Sequence, residues 1–374
     1  MKNNIKEIKT PAYRRSIQIG KIIIGENSPV LIIPEGCDNH HGSLARAKEL
    51  THSAKEAGAK IIKFQLHLPD EEMDKKLMAK TSAKMFKKWG DLYGFIKKNL
   101  LSVEAHAELI RYCRKIGIQY FCTPFSLKAA EILKEIGGDV AFKIGSGETE
   151  DLPMIEEVAK MKKPMIISTG MTTGEEINLT VRAVKKYKTP FSLAHCISAY
   201  PPKNETELHL GVISELKERY GVPVGFSDHT PPGGIKAKNG RLISEDEIIL
   251  GAIGQGACYV EKHFTLDRNA KDADSRFSHD GKTLKKLIQT AEAAKAAMNR
   301  ERDVYDCEKG VWIWAKRSLF AVCDIPAGMK IKRAMLTSKR PGVGIRSKKY
   351  KEIIGKTAKN NIKKNQLIEW KDLK

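Results

Sequence analysis

The strongest constraint on this chain is an alternation that repeats eight times. Short runs rich in Val, Ile and Phe cover 30–33, 61–64, 119–122, 140–144, 165–167, 192–194, 222–226 and 258–262. Stretches with apolar residues at helical spacing follow, over about 43–57, 103–115, 127–136, 153–160, 174–187, 210–220, 245–254 and 282–300. In the first of these the apolar side is Leu44, Ala47, Leu50 and Ala54, the spacing of one buried helix face. Such alternation predicts a parallel sheet, because each strand needs a crossover before the next can run the same way. Eight units in about 270 residues predict a closed (β/α)8, or TIM, barrel. A doubly wound open sheet is the alternative, but it usually carries a glycine-rich phosphate turn after its first strand. Here the first strand runs into Glu35-Gly36-Cys37-Asp38-Asn39, which is not that turn.

The texture changes after Arg300. A polar connector with Trp312 and Trp314 leads to short strand-like runs at 319–322 and 330–331, punctuated by Pro326-Ala327-Gly328 and Pro341-Gly342. The expected organisation is a barrel with an N-terminal extension over 1–300, a linker over 301–316 and a small, mostly β domain over 317–374.

Composition narrows the function classes. The 374-residue chain is 41% hydrophobic and 30% charged, as a soluble globular protein is. It has no apolar run of about 18 residues, the length a membrane span needs. Met1 to Arg15 is polar and basic, without the apolar stretch of a secretory signal, so a cytoplasmic location is expected. The seven cysteines show no CxxC pair and read as buried thiols rather than a disulfide framework. The net charge of +21 raises nucleic-acid binding. Yet the basic residues are spread along the chain, and the dense stretches from Lys75 to Lys88 and from Arg346 to Lys364 lack interleaved stacking aromatics. A solvated basic surface that attracts an anionic substrate is the expectation, with no nucleic-acid or membrane partner.

In a barrel the C-terminal strand ends form the active face. In chain order those ends carry Glu35; Lys63 and Gln65; Thr123; Lys143 with Gly145-Ser146-Gly147-Glu148; and Ser168-Thr169-Gly170. They continue with His195, Ser198 and Tyr200; Ser227-Asp228-His229-Thr230; and Glu261-Lys262-His263. Neutral imidazoles suit divalent transition metals, and His229 and His263 end adjacent strands, so both could reach one ion. Two protein ligands leave positions open for substrate and favour a Lewis-acid role; two satisfied structural histidines are the bland alternative. Lys63 and Lys143, with Ser146, Ser168 and Ser227, would make a cationic, hydroxyl-lined socket for phosphate and carboxylate. A Schiff-base role for either lysine competes with that reading. Glu35, Glu148 and Glu261 can hold hydroxyls, position water or shuttle protons.

These residues resemble the sialic acid synthase family. The resemblance runs from about Leu31 to Leu367, through Glu35-Gly36-x-x-Asn39-His40-x-Gly42, Lys63-Phe64-Gln65, Thr123-Pro124-Phe125 and Lys143-Ile144-Gly145-Ser146-Gly147-Glu148. It continues in Ser168-Thr169-Gly170-Met171, His195-Cys196, Tyr200-Pro201, Ser227-Asp228-His229-Thr230 and Glu261-Lys262-His263-Phe264-Thr265-Leu266-Asp267. Arg317-Ser318-Leu319 to Arg340-Pro341-Gly342 is similar to the family's antifreeze-like (SAF) domain. Any one motif is weak; the ordered set is specific.

The resemblance implies a transferase that joins phosphoenolpyruvate (PEP) to the open-chain form of an N-acylated amino-hexose such as N-acetylmannosamine. Phosphate is lost by C–O cleavage, leaving a nine-carbon 2-keto acid. It implies a divalent ion, Mn2+ first and Mg2+ or Co2+ as alternatives, held by His229 and His263. Lys63, Thr123, Lys143, Ser146, Ser168 and Ser227 match PEP-binding positions. Glu35, Gln65, Glu148, Tyr200 and Asp274 match positions around the sugar, with Glu35, Lys63, Lys143 and Glu148 the expected catalytic groups. Arg340 matches a SAF-domain arginine that reaches the partner's site in a domain-swapped homodimer.

Departures fall on the sugar side. The family often reads Ile-Asn-His-Asn-Gly where this chain has Asp38-Asn39-His40-His41-Gly42, and Pro-Asp-His near Asp272-Ala273-Asp274-Ser275. Ser198 stands where N-acetylneuraminate synthases carry Asn, and Trp89-Gly90-Asp91 lies about where a sugar-contacting Asn is expected. A legionaminate or pseudaminate synthase using a 2,4-diacetamido-trideoxyhexose is therefore the alternative within the class. A metal or Schiff-base aldolase using pyruvate, and a non-catalytic carbohydrate- or nucleic-acid-binding protein, are the alternatives outside it.

Overall fold

The structure, a computed structural model, describes residues 15–84, 86–270, 274–298 and 303–374. They fall into two compact units, divided between Asn299 and Arg300. The first begins with an antiparallel hairpin, β1 (Ser16–Ile19) and β2 (Ile22–Gly25). There follow β3 (Leu31–Glu35), β4 (Ile61–Leu66), β5 (Gln119–Pro124), β6 (Phe142–Ile144), β7 (Met165–Ser168), β8 (Phe191–Cys196) and β9 (Val224–Asp228). A small hairpin, β10 (Ile235–Lys236) and β11 (Leu242–Ile243), precedes β12 (Tyr259–His263). Seven consecutive strands, β3 to β9, close with β12 into one parallel barrel, β12 pairing with both β3 and β9. The barrel read from the alternation is the fold, although β9 and β12 each extend further than expected, to Asp228 and His263.

Side-chain oxygens set where the outer helices begin. Ser43, Ser102, Ser126, Asp151, Thr173, Ser244 and Asp280 each accept a backbone N–H of the first helical turn, satisfying a donor that has no intrahelical partner. The last helix, expected over 282–300, is Gly281–Ala297; residues 299 and 300 lie outside the described set. The Lys-rich insertion after β4 folds into the short helices Pro69–Glu72, Lys75–Thr81 and Leu92–Asn99.

The barrel interior is layered. Ile33, Ile61, Phe121, Ala141, Ile166, Ala194 and Tyr259 form an apolar cluster, and Ile17, Ile19 and Ile24 of the hairpin pack into it. Strand side chains alternate faces, so the same interior face two residues on holds Glu35, Lys63, Thr123, Lys143, Ser168, Cys196 and Glu261. Tyr259 fills the middle so closely that a Cβ on Gly225 would lie 2.2 Å from its ring. The alternation does not predict this hairpin, whose contribution is to close the apolar end of the barrel.

In the second unit β13 (Ser318–Ala321) pairs antiparallel with β14 (Leu336–Lys339) over a core that includes Leu319, Ile325, Ile331, Leu336, Ile353 and Ile368. The connector is less irregular than its composition suggests: Lys309–Ala315 is helical. Arg346 lies 4.2 Å from the ring centroid of Trp312, Arg340 lies 5.7 Å from that of Trp314, and the Gly342 N–H bonds Ile313 O.

Candidate active site

Strand register assembles the polar residues at one barrel end. Glu35 pairs across β3–β4 with Lys63 and across β3–β12 with His263, while Glu261 pairs with Ser227. Lys63 and Lys143 are almost fully buried, and a buried ammonium must be paired. Lys63 Nζ is ion-paired to Glu35, lies 3.5 Å from Glu261 Oε1 and donates to Thr123 Oγ1 at 3.2 Å. Lys143 Nζ is 3.8 Å from the same Glu261 oxygen, which also accepts from the Ser227 hydroxyl at 3.2 Å. Burial works against the Glu261 carboxylate, but Lys143 and Lys63 outweigh it and hold it down to about 2. Glu35 Oε1 accepts from Gln65 Nε2 at 3.1 Å and from the Cys37 N–H at 3.0 Å.

The hydroxyls meet on the other side. Ser146 donates to Ser168 at 2.9 Å. Gly170 faces them: a Cβ there would lie 2.5 Å from Ser198 Oγ and 2.7 Å from Ser146 Oγ, so Ser198 belongs to this group. Glu148 Oε2 finds no hydrogen-bond partner among the described residues, and burial, opposed by Lys143, raises its carboxyl above the usual range. Next to Glu148 opens a cavity of about 570 Å³, walled by Glu71, Glu72, Asp151, Glu156 and Glu157. Between cavity and socket, His67 stacks on Phe125 at 4.1 Å and hydrogen-bonds Glu72 and Gln65 at 2.8 and 3.0 Å.

The two expected metal ligands are neighbours, with ring centroids 5.3 Å apart. His229 Nδ1 donates to Ile197 O at 2.8 Å, so a neutral ring carries its lone pair on Nε2. His263 Nδ1 lies 3.3 Å from Asp274 Oδ2 and has no hydrogen-bond partner among the described residues. Tyr200 covers both rings, 4.2 Å from His229 and 6.2 Å from His263. Cys37, His263 and Asp274 each place one donor atom within 4.8 Å of the other two. An imidazole nitrogen facing a carboxylate and a thiol is a donor set that fits a divalent ion. Sequence reasoning placed Cys37 among the buried thiols without assigning it to the site. All seven cysteines are free and five are buried, but Cys307 and Cys323 are exposed. The only signal for Cys37 was its position two residues after Glu35.

The barrel residues matched to substrate or metal roles all lie at this end: Glu35, Lys63, Gln65, Thr123, Lys143, Ser146, Glu148, Ser168, Tyr200, Ser227, His229, His263 and Asp274; His195 instead points away from the interior, with Nε2 2.8 Å from Leu208 O. Arg340 belongs to the second unit. Asp272 and Ala273 lie outside the described residues, as do residues 1–14 of the polar N-terminus and the Trp89 side chain.

A closed parallel barrel whose polar end joins two buried ammonium groups, a row of hydroxyls and a histidine–carboxylate–thiol group is built for an anionic substrate and a cation. The chain matches the NeuB family over residues 50–303 and the SAF domain over 316–374; it belongs to the NeuB family. It is 35% identical over 346 residues to the N,N'-diacetyllegionaminic acid synthase of Campylobacter jejuni, covering 90% of this chain and 98% of that one. Against the pseudaminic acid synthase of Helicobacter pylori it is 31% identical over 356 residues, covering 92% and 98%. Its fold superposes on the crystal structure of the N-acetylneuraminic acid (sialic acid) synthetase of Leptospira borgpetersenii with a TM-score of 0.68 and 31% identity, over 79% of this chain and 94% of that one. Among the described residues no helix is long and apolar enough to cross a membrane.

Proposed function

We propose that this chain is a PEP-dependent nonulosonic (sialic) acid synthase, with an N-acetylated amino-hexose as acceptor. The observation that carries the reading is the Lys63–Glu261–Lys143 array, two buried ammonium groups spaced by one carboxylate beside Ser146, Ser168 and Ser227. Such an array suits the phosphate and carboxylate of PEP, which replace water as partners of the lysines. PEP then presents C3 to the sugar aldehyde carbon, where the new C–C bond forms. Water adds at C2 of the former PEP, and phosphate leaves with its bridging oxygen. Glu35, held by Gln65 and the Cys37 N–H, is oriented to direct that water. Glu148, whose burial favours the protonated form, is the carboxyl suited to donate to the sugar oxygen. His263, with Asp274 and Cys37 beside it and His229 facing it, would hold a divalent ion, which would supply Lewis-acid polarisation of the aldehyde; Mn2+ is the first ion to test, then Mg2+ and Co2+. The proposed assembly is a homodimer in which Arg340 completes the partner's sugar site.

Glu35, Gln65, Glu148, Tyr200 and Asp274 are the residues proposed to face the acceptor. The test is phosphate release from PEP with N-acetylmannosamine, with its 6-phosphate and with 2,4-diacetamido-trideoxyhexoses, each with EDTA and with Mn2+ restored. Metal-dependent release is expected with at least one of these sugars, and the sugar turned over fastest identifies the acceptor. Absence of release with every one of these sugars would sink the proposal; faster turnover of the diacetamido sugars would make the product legionaminate- or pseudaminate-like.

A further inference from the structure

Cys37 occupies an uncommon backbone. Its φ is +42°, in the left-handed region that costs a side-chain-bearing residue about 1–2 kcal/mol and that glycine enters freely. The preceding residue cannot bear a side chain, because a Cβ on Gly36 would lie 2.7 Å from the Phe64 ring. The turn therefore spends its one glycine at 36 and forces a cysteine into the strained position. Strain of this kind concentrates where geometry serves a site.

That geometry carries the thiol inward. Cys37 is buried and its sulfur belongs to the group it forms with His263 and Asp274, all within 4.8 Å of one another. Metal–ligand bonds of roughly 2.0–2.3 Å keep donors on one ion less than about 4.6 Å apart. The three are thus at ligating spacing or need only small side-chain rotations. His263 Nδ1 faces Asp274 Oδ2 at 3.3 Å without hydrogen-bond geometry, a contact that one ion between them would bridge.

We infer that Cys37 is a protein ligand of the divalent ion, acting with His263 and Asp274. The inference rests on the metal-assisted reading above and sharpens it: the site contains a thiolate. On binding, the Cys37 S–H proton passes to solvent and a sulfur–metal bond forms. Thiolate favours softer ions, so among the candidates the site should prefer Co2+ to Mg2+.

Co2+ binding to metal-free protein, without substrates, tests this. The whole chain, stripped with chelator and titrated with Co2+, should develop near-ultraviolet sulfur-to-cobalt charge-transfer absorption. Cys37→Ser and Cys37→Gly should abolish that band and weaken Co2+ binding at least about 10-fold, while shifting preference toward Mg2+. Cys37→Gly relieves the left-handed strain, so its metal-free form should melt no lower than the parent; lost Co2+ affinity then reports ligation and not misfolding. Cys196→Ser should keep the band, which guards against the other buried thiol of the site. Co2+ binding without a band, or a band that survives Cys37→Ser, overturns the thiolate ligand and leaves the synthase reading standing. Protein that binds no Co2+ while turning over PEP without metal would overturn both the ligand and the metal-assisted reading.

Discussion

Glu261 shows how much one residue depends on its neighbours here. Alone and buried, its carboxylate would be protonated; between Lys143 and Lys63 it stays ionised, and in turn it keeps two like charges apart. Replacing Lys143 by Met removes one cation from PEP and one from Glu261. The KM for PEP is expected to rise about 10- to 100-fold, equivalent to about 1.4–2.8 kcal/mol, with a smaller change in the KM for the sugar. Steady-state kinetics with each substrate varied in turn checks this, and equal effects on both substrates would remove Lys143 from the PEP socket. At this scale the sequence was informative because polar residues at strand ends have one place to go. Cys37 was not legible, since its orientation comes from a left-handed turn that spacing does not encode.

The loops that carry the histidines depend on a buried network on the outer face of their strands. Lys262 Nζ, fully buried, lies 3.0 Å from both Asp228 Oδ2 and Glu245 Oε1 and donates to Thr230 O at 2.6 Å. His279 Nε2 joins Glu245 at 2.6 Å. Asp228 and Lys262 immediately precede His229 and His263, so the network ties β9 to β12 where the two histidines leave. Removing one member leaves buried charge unpaired, which costs about 3–5 kcal/mol. Lys262→Met is expected to lower the melting temperature sharply and to weaken metal binding without touching the ion, as calorimetry and metal titration would show. Burial opposes the Glu245 carboxylate, but Lys262 and His279 hold it down to about 2. A carboxyl depressed from the ordinary value of about 4.3 contributes stability that is present above that pH and lost as pH falls toward 2. Lys262→Met should therefore flatten the acid limb of the stability curve; an unchanged limb would deny the network its role. Strand periodicity places Lys262 and Asp228 outside the barrel, but their partners come from the Glu245–Gly254 helix and from His279, which only folding brings near.

For the whole molecule, the proposed homodimer makes a distinct prediction. His263→Ala should inactivate a site through its own barrel, and Arg340→Ala through the partner's SAF domain. Mixed and re-associated variants should then recover activity that neither has alone, up to about a quarter of the parent when pairing is random and each mixed dimer keeps one intact site. No recovery from a mixture shown to exchange subunits would place Arg340 outside the partner's site.

The sequence by itself determined the eight-stranded barrel, the smaller β-rich tail and the set of residues at the barrel mouth. These follow from periodicity and strand-end position, which are local properties of the chain. Only the tertiary structure decided which lysine meets which glutamate, that the β1–β2 hairpin closes the apolar end, and that an acidic cavity lies beside Glu148. It also decided that Cys37 faces the histidine expected to hold the metal. Those contacts join residues far apart in the chain, and their geometry is set by barrel closure and by one left-handed turn, neither of which a linear pattern contains.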